Sequence, residues 1–120
     1  MISFSCRVIY LILLYLIFPV KLSAQDWHLV GTRGIMNFVV VSKEREADKD
    51  VYLDAIQSIC KVGENCKVIF WTSEDQVPTS WPMTDAQKES RVVDYFKEGN
   101  SEEEKFLWNC RIVNDPSKCF

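Results

Sequence analysis

An apolar run near the N-terminus limits how much of this 120-residue chain is available for a globular fold. Residues 8–20, VIYLILLYLIFPV, form a run of 13 residues behind a short segment whose one basic residue is Arg7. The run is followed by Leu22-Ser23-Ala24, which ends on a small residue before a polar one. This three-part layout is typical of a secretory signal peptide. We therefore expect residues 1–24 to be a signal peptide and residues 25–120 to form one small domain.

An uncleaved N-terminal anchor is the alternative to a signal peptide. A membrane-spanning helix needs about 20 apolar residues, and the run of 13 is shorter than that. Two features nevertheless weaken the cleavage site, because Leu22 is larger than the residue preferred two positions before a cut and Lys21 could flank an anchor. The sequence favours cleavage before Gln25, which predicts a secreted or periplasmic protein, and leaves the anchor as the second hypothesis.

Four cysteines behind the apolar run predict two disulfides. An even number of cysteines in a short exported domain is the usual sign of a disulfide framework. Three pairings are available, and the one that joins neighbours in sequence is the simplest, because residues that favour turns lie between them. The expected bonds are Cys60–Cys66 and Cys110–Cys119. A crossed pairing would close longer loops and constrain the unfolded chain more strongly, so it stays as the alternative.

Zinc binding is a second use that four thiols could have. Structural zinc sites favour pairs of cysteines separated by roughly two to four residues. Here five residues separate the first pair and eight separate the second. An oxidising compartment also disfavours free thiols. We therefore predict neither a metal nor a cofactor.

The domain is acidic, which narrows the class of partner. Leaving Arg7 and Lys21 out of the 14 basic residues, 12 face 17 acidic ones, so residues 25–120 carry a formal net charge of −5. Nucleic acids and anionic membranes reward clusters of lysine and arginine. Neither is therefore an expected partner, and another protein is the partner class that the charge leaves open.

Two apolar runs and an amphipathic segment predict a β-α-β unit in the first half of the domain. Residues 25–34 contain two glycines and predict no regular element. Residues 35–42, IMNFVVVS, are rich in β-branched residues and predict a buried strand. Residues 51–60 carry an apolar stripe at helical spacing, with an aspartate available to cap the helix. Residues 66–72, CKVIFWT, predict a second strand parallel to the first.

A capping box is the most specific local signal in the second half. Thr84 and Gln87 are spaced so that each side chain can bond the backbone amide of the other, which predicts a helix that begins at Thr84. We expect this helix to continue to about residue 97. Its inward-facing residues would be Ala86, Val92, Val93 and Phe96. Before it, residues 73–82 hold two prolines and predict a loop. After it, the alternating residues 105–113 predict a third strand.

The order of elements predicts a small domain of the α/β (α+β) class. A β-α-β-α-β chain of this length is most compactly built as a three-stranded sheet with both helices on one face, in two layers. So small a domain buries little apolar surface, and we expect the two disulfides to contribute to its stability.

Few groups in the sequence are suited to catalysis. His28 is the only histidine in the chain, and a Ser-His-Asp triad would have to use it. Carboxylates are abundant, at Glu74-Asp75 and at residues 102–104, and a pair of carboxylates can hydrolyse a glycosidic bond. No single pair stands out, and solvated surface charge is the simpler interpretation. We therefore predict no catalytic residue.

Trp81 is the best candidate for a binding residue. It lies between Ser80 and Pro82 in the predicted loop, which should be on the surface. An exposed tryptophan is a common anchor for protein partners. The alternative is that Trp81 folds back as a hydrophobic staple under the second helix. The acidic residues Glu74 and Asp75 share the loop and complete the candidate site.

Three functions are compatible with these observations. The first is a small binding module, of the inhibitor or immunity type, that covers a surface of another protein. The second is a small secreted hydrolase that acts through carboxylates. The third is an exported effector or toxin-like factor. The small size, acidic charge and predicted disulfides, together with the lack of a catalytic set, favour the binding module.

Overall fold

The structure of the chain is a computed structural model that describes residues 25–120, so the predicted signal peptide lies outside the described residues. Five strands and two α-helices make up the fold. The strands are β1 (Trp27–Arg33), β2 (Met36–Val41), β3 (Cys66–Trp71), β4 (Val93–Lys97) and β5 (Glu104–Trp108). The helices are α1 (Lys49–Ile59) and α2 (Asp85–Ser90), with two short 3₁₀ helices, η1 (Lys43–Arg45) and η2 (Glu74–Gln76).

The strands form one mixed sheet whose spatial order follows the chain, β1-β2-β3-β4-β5. β2 and β3 are parallel, with Phe38 opposite Ile69. The other three neighbouring pairs are antiparallel. The predicted mixed α+β class is therefore confirmed, whereas the predicted number of three strands is wrong, because two further segments join the sheet.

The predicted β-α-β unit is confirmed as β2, α1 and β3. Asp48 is the N-cap of α1, and its side chain accepts a 3.0 Å hydrogen bond from the backbone amide of Asp50. One face of α1 is apolar, and its residues Tyr52, Ala55 and Ile56 are buried. Parallel neighbouring strands need a crossover connection, and α1 provides it here, so β2 and β3 lie side by side and parallel.

The segment before β2 is a strand, which corrects the expectation that its glycines would prevent a regular element. β1 pairs with β2 as an antiparallel hairpin. Gly34 lies in the turn with φ of 59°, a conformation that glycine adopts without steric cost. Gly31 lies opposite Phe38, where a Cβ atom would be 3.4 Å from the phenylalanine ring. Gly34 therefore forms the turn of the hairpin, whereas at Gly31 a Cβ atom would make only an ordinary van der Waals contact with the ring.

The capping box of the second helix is confirmed. The Thr84 hydroxyl accepts from the backbone amide of Gln87 at 3.2 Å, and the Thr84 amide donates to the Gln87 side-chain oxygen at 2.9 Å. The predicted length is wrong, because α2 ends at Ser90. Arg91 has an extended backbone conformation, with ψ of 137°, and breaks the helix.

The residues expected to form the end of that helix form β4 instead. The sequence VDYFK is rich in aromatic and β-branched residues, which favour a strand. The pairing of β4 with β3 on one side and with β5 on the other stabilises the extended conformation. Among the residues expected to face inward, Val92 and Val93 are buried, Phe96 is half-buried and Ala86 is exposed.

The third predicted strand is confirmed only in its first half. β5 ends at Trp108, whereas the alternating pattern continues to residue 113. At the next position the Asn109 side-chain amide donates to the carbonyl oxygens of Glu89 and Arg91, at 3.1 and 2.8 Å. These bonds turn the chain away from the sheet, so the later alternation does not belong to a strand.

Apolar side chains cover both faces of the sheet, which corrects the expectation that both helices share one face. The main cluster, between the sheet and α1, includes Val39, Val41, Tyr52, Val68, Phe70, Val93, Tyr95 and Trp108. A second cluster on the opposite face contains Phe38, Val40, Ile69, Trp71 and Val77. The indole nitrogen of Trp71 donates to the carbonyl oxygen of Gln87 at 2.9 Å, so α2 belongs to this second face. Residues 73–90 therefore form a third layer.

The four cysteines of the described region form the two expected local disulfides, Cys60–Cys66 and Cys110–Cys119. The second disulfide joins the turn after β5 to the C-terminal tail, where the backbone of Cys119 forms an isolated β-bridge with that of Trp108. Two disulfides are compatible with an extracellular or otherwise oxidising compartment. Within residues 25–120 no helix has the length and apolar character needed to cross a membrane.

Candidate functional site: a groove beside the edge strand

Trp81 lies at an open groove beside β1. The groove has a volume of about 280 Å³ and is lined by residues 30–33 of the strand, by residues 78–81 of the third layer and by Phe38. The exposed fraction of Trp81 is 38%, which makes it one of the large exposed apolar residues of the described region. The structure therefore places the predicted binding residue in a concave surface.

Contacts on the sheet side hold the Trp81 ring in place. The ring lies nearly parallel to that of Phe38, with an interplanar angle of 9° and 6.4 Å between ring centres. Phe38 is 4% exposed and packs edge-on against Trp71, so the stack is connected to the second cluster. The Arg33 guanidinium lies 5.9 Å from the centre of the Trp81 ring. An aromatic ring held in this way loses little conformational entropy when a partner covers it.

The local sequence explains why the chain presents Trp81 at this point. Val77 and Pro78 are buried before it, and Met83 packs against the second cluster after it. The capping box then fixes the chain at Thr84. Both ends of this short segment are therefore anchored. The aromatic and cationic neighbours of Trp81 lie on the sheet side, at Phe38 and Arg33, which favours a surface ring over a staple under α2.

The groove carries one positive charge, although the net charge of residues 25–120 is negative. Arg33 is the one charged residue among those that line it. Within the described residues no carboxylate lies within ion-pair distance of Arg33, whereas Arg45, Arg91 and Arg111 each pair with at least one. The remaining polar lining is neutral, from the hydroxyl groups of Thr32, Thr79 and Ser80. The groove therefore combines an aromatic ring, neutral hydroxyls and an available cation.

Glu74 and Asp75, which the sequence placed in the candidate site, do not line the groove. They lie in η2, a 3₁₀ helix within the segment predicted to be a loop. The exposed side chains of Glu74 and of His28 in β1 form a hydrogen bond, with 2.7 Å between Oε1 and Nε2. The Asp75 carboxylate accepts a hydrogen bond from the Ser73 hydroxyl. Glu74 connects the third layer to β1 through His28, and Asp75 bonds within the third layer, so neither carboxylate is part of the groove at Trp81.

Two other carboxylates of the described region, those of Glu46 and Glu104, accept hydrogen bonds from side chains elsewhere in the fold. The two terminal guanidinium nitrogens of Arg111, Nη1 and Nη2, each donate a 3.1 Å hydrogen bond to the Glu46 carboxylate. These hydrogen bonds lower the pKa of Glu46. Glu104 accepts a 2.7 Å hydrogen bond from the hydroxyl of Tyr95. Burial is the larger cause, and this hydrogen bond the second, that raises the pKa of Tyr95 above its ordinary value. Glu102 and Glu103 are exposed.

Metal binding has no candidate in the described region. No group of three or more histidine, cysteine, aspartate or glutamate side chains there could hold a metal ion. The four cysteine sulfurs of residues 25–120 are already bonded in pairs. Among the metal, carboxylate and tryptophan sites that the sequence raised, the groove at Trp81 is therefore the one that the geometry favours as a functional site.

Sequence reasoning missed the residues that make Trp81 part of a site. Arg33 and Phe38 come from the first hairpin, more than 40 positions away from Trp81 in the chain. The sheet brings them together, and no local pattern in the sequence indicates that contact. The available signal was Gly31, because a glycine within a strand often marks a bulge, and the register of β1 shifts between Leu29 and Gly31.

Comparisons with protein-family models, with curated proteins and with solved structures found no significant match. The function is therefore inferred from the groove and from the residues around it.

Proposed function

We propose that this protein is a small secreted or periplasmic binding module that attaches to another protein through the Trp81 groove. The observation that carries the proposal is the position of Trp81, which is exposed although its ring packs on the buried Phe38. Tryptophan is enriched among the few residues that dominate binding energy at protein interfaces. A partner that fills the groove would bury the exposed part of the ring without first having to order it.

The chemistry of the groove supports a protein partner. Its nine lining residues contribute apolar, hydroxyl and cationic groups, a mixture typical of interface surfaces. The disulfides support a role outside the reducing cytoplasm. A module of the inhibitor or immunity type would use such a groove to cover a functional surface of its partner.

The test compares three baits in affinity capture from native secretions, followed by quantitative mass spectrometry. The baits are the wild type, Trp81→Ala and Val62→Ala. The last is a matched control, because Val62 is fully exposed, lies in the loop between α1 and β3 and does not line the groove. We expect a stoichiometric partner with the wild type and with Val62→Ala. Trp81→Ala should lose about thirtyfold in affinity, equivalent to about 2 kcal/mol for a large aromatic anchor.

Folding of Trp81→Ala is checked by its thermal unfolding midpoint, which we expect to stay within a few degrees of that of the wild type. A second variant, Thr79→Tyr, adds bulk to the groove while it leaves the packing of Trp81 on Phe38 in place. Loss of the partner with both variants supports the proposal. Equal capture by all baits, or no stoichiometric partner with the wild type, contradicts it.

A further inference from the structure

We infer that the partner contributes an extended segment that pairs with the outer edge of β1 as a sixth strand and that carries an Asp or Glu side chain bonded to Arg33. This inference rests on the proposed function, because it names the chemistry of the partner at the same groove. Addition of a strand to a sheet edge is an established mode of peptide recognition, in which backbone hydrogen bonds provide affinity and side-chain pockets provide specificity.

The first observation is that β1 is the open edge of the sheet. It is the terminal strand, and within residues 25–120 its backbone bonds to β2 alone. The opposite edge is partly covered by the C-terminal tail. There the Trp108 amide donates to the Lys118 carbonyl, and the Phe120 amide donates to the Trp108 carbonyl, both at 2.9 Å. An unpaired edge presents amide and carbonyl groups that a further strand can satisfy.

The second observation is that the groove adjoins this edge. Residues 30–33 belong to β1 and also line the groove. A change of register between Leu29 and Gly31 separates this part of the strand from its beginning. A bulge of this kind re-aims side chains and limits pairing along an edge. A segment bound here would therefore pair with the second half of β1 and place its side chains against Trp81.

The third observation is the charge of Arg33. Its guanidinium has no ion-pair partner in the described region and is the single charge at the groove. An arginine fork matches a carboxylate geometrically, with two parallel hydrogen bonds. The segment that satisfies Arg33 therefore carries a carboxylate. A second copy of this chain fits less well, because β1 itself, WHLVGTR, contains no acidic residue.

The experiment uses the full chain to select from a displayed library of random linear peptides. We expect the enriched peptides to share an Asp or Glu at one position and apolar residues at alternate positions. A synthetic peptide of the enriched sequence should bind the wild type and the control Lys61→Glu with equal affinity. It should lose about tenfold or more in affinity for Arg33→Glu, because a like charge then faces the carboxylate.

Backbone pairing is tested with the same peptide. N-methylation of the amides that face β1 should abolish binding, whereas N-methylation at the intervening positions should leave it unchanged. Hydrogen exchange of β1 amides should slow in the complex. Enriched peptides without a conserved acidic residue, equal binding to Arg33→Glu, or indifference to N-methylation in both registers would overturn the inference, as would self-association of the chain through β1.

The two proposals fail in different ways. If Trp81→Ala loses its captured partner while the peptides show no dependence on Arg33 or on their backbone amides, the groove binds a partner but strand addition is wrong. If Trp81→Ala keeps its partner, the proposed function itself is wrong.

Discussion

The hydroxyl group of Tyr52 donates a 2.6 Å hydrogen bond to the carbonyl oxygen of Glu46, and this bond connects the start of α1 to the segment before it. The Tyr52 ring is fully buried and lies edge-on to the rings of Phe70, Phe106 and Trp108. Tyr52 therefore links the helix to two strands of the sheet, β3 and β5, through one aromatic cluster. Ionisation of its hydroxyl would place a charge in that cluster.

We expect the fold to lose stability at alkaline pH through Tyr52 and Tyr95. Burial is the main cause that raises the pKa of each hydroxyl above its ordinary value of 10.0. A pKa that is higher in the folded state gives stability that is complete below pH 10 and is lost as pH rises beyond that value. Protein that begins at Gln25 contains only these two tyrosines. Its tyrosinate absorbance should therefore appear together with unfolding.

The matched variants are Tyr95→Phe and Tyr52→Phe, each of which leaves one tyrosine as the reporter. Tyrosinate that forms near pH 10 while the circular dichroism of the fold is unchanged would contradict the prediction for the remaining residue.

The loss of folding stability at acid pH should depend on the ion pair between Glu46 and Arg111. Hydrogen bonds from Arg111 are the largest cause that lowers the pKa of Glu46, and Lys43 acts in the same direction. A pKa that is lower in the folded state gives stability that is present above the ordinary value of 4.5 and is lost as pH falls through the lowered one. Denaturant unfolding of Glu46→Gln should therefore depend less on pH in this range than that of the wild type. Arg111→Gln should flatten the profile similarly, and parallel profiles for all three proteins would argue against the pair.

The Thr84 cap should stabilise α2 by roughly 1 kcal/mol, which is the usual cost when a helix loses its N-cap hydroxyl. Thr84→Ala removes the acceptor for the Gln87 amide and should lower the unfolding midpoint. Thr84→Ser keeps the hydroxyl and is the control that should remain close to the wild type. Equal midpoints for Thr84→Ala and Thr84→Ser would mean that the capping bond contributes nothing to stability.

The sequence predicted the elements whose signals are long or chemically specific. The β-branched run of β2, the apolar stripe of α1 and the capping box at Thr84 each depend on neighbouring residues alone, and all three are present in the structure. The pair Val92-Val93 fits both a helix face and a strand. Neither glycine nor proline marks the break at Arg91, so local periodicity could not separate the helix from β4.

The candidate site was predictable only in part for a related reason. Trp81 was identifiable because it lies in a proline-bounded segment outside any periodic pattern. The groove around it depends on the hairpin formed by β1 and β2, and β1 was missed because Gly31 and Gly34 suggested an irregular segment. Contacts such as that between Arg33 and Trp81 depend on sheet topology, which local sequence patterns do not encode.

The Cys110–Cys119 disulfide should hold the C-terminal tail against β5. The tail pairs through the amides of Trp108 and Phe120, and the sulfur bridge closes this small loop. The double variant Cys110→Ser/Cys119→Ser should lose roughly 2–3 kcal/mol of stability, since a disulfide restricts the unfolded chain. Hydrogen exchange at the Trp108 and Phe120 amides should accelerate, because the tail then opens independently of the sheet. The Ile69 amide, in a central strand, serves as the internal reference. Slow exchange of both tail amides in the double variant would show that the β5 contacts hold the tail without the bridge.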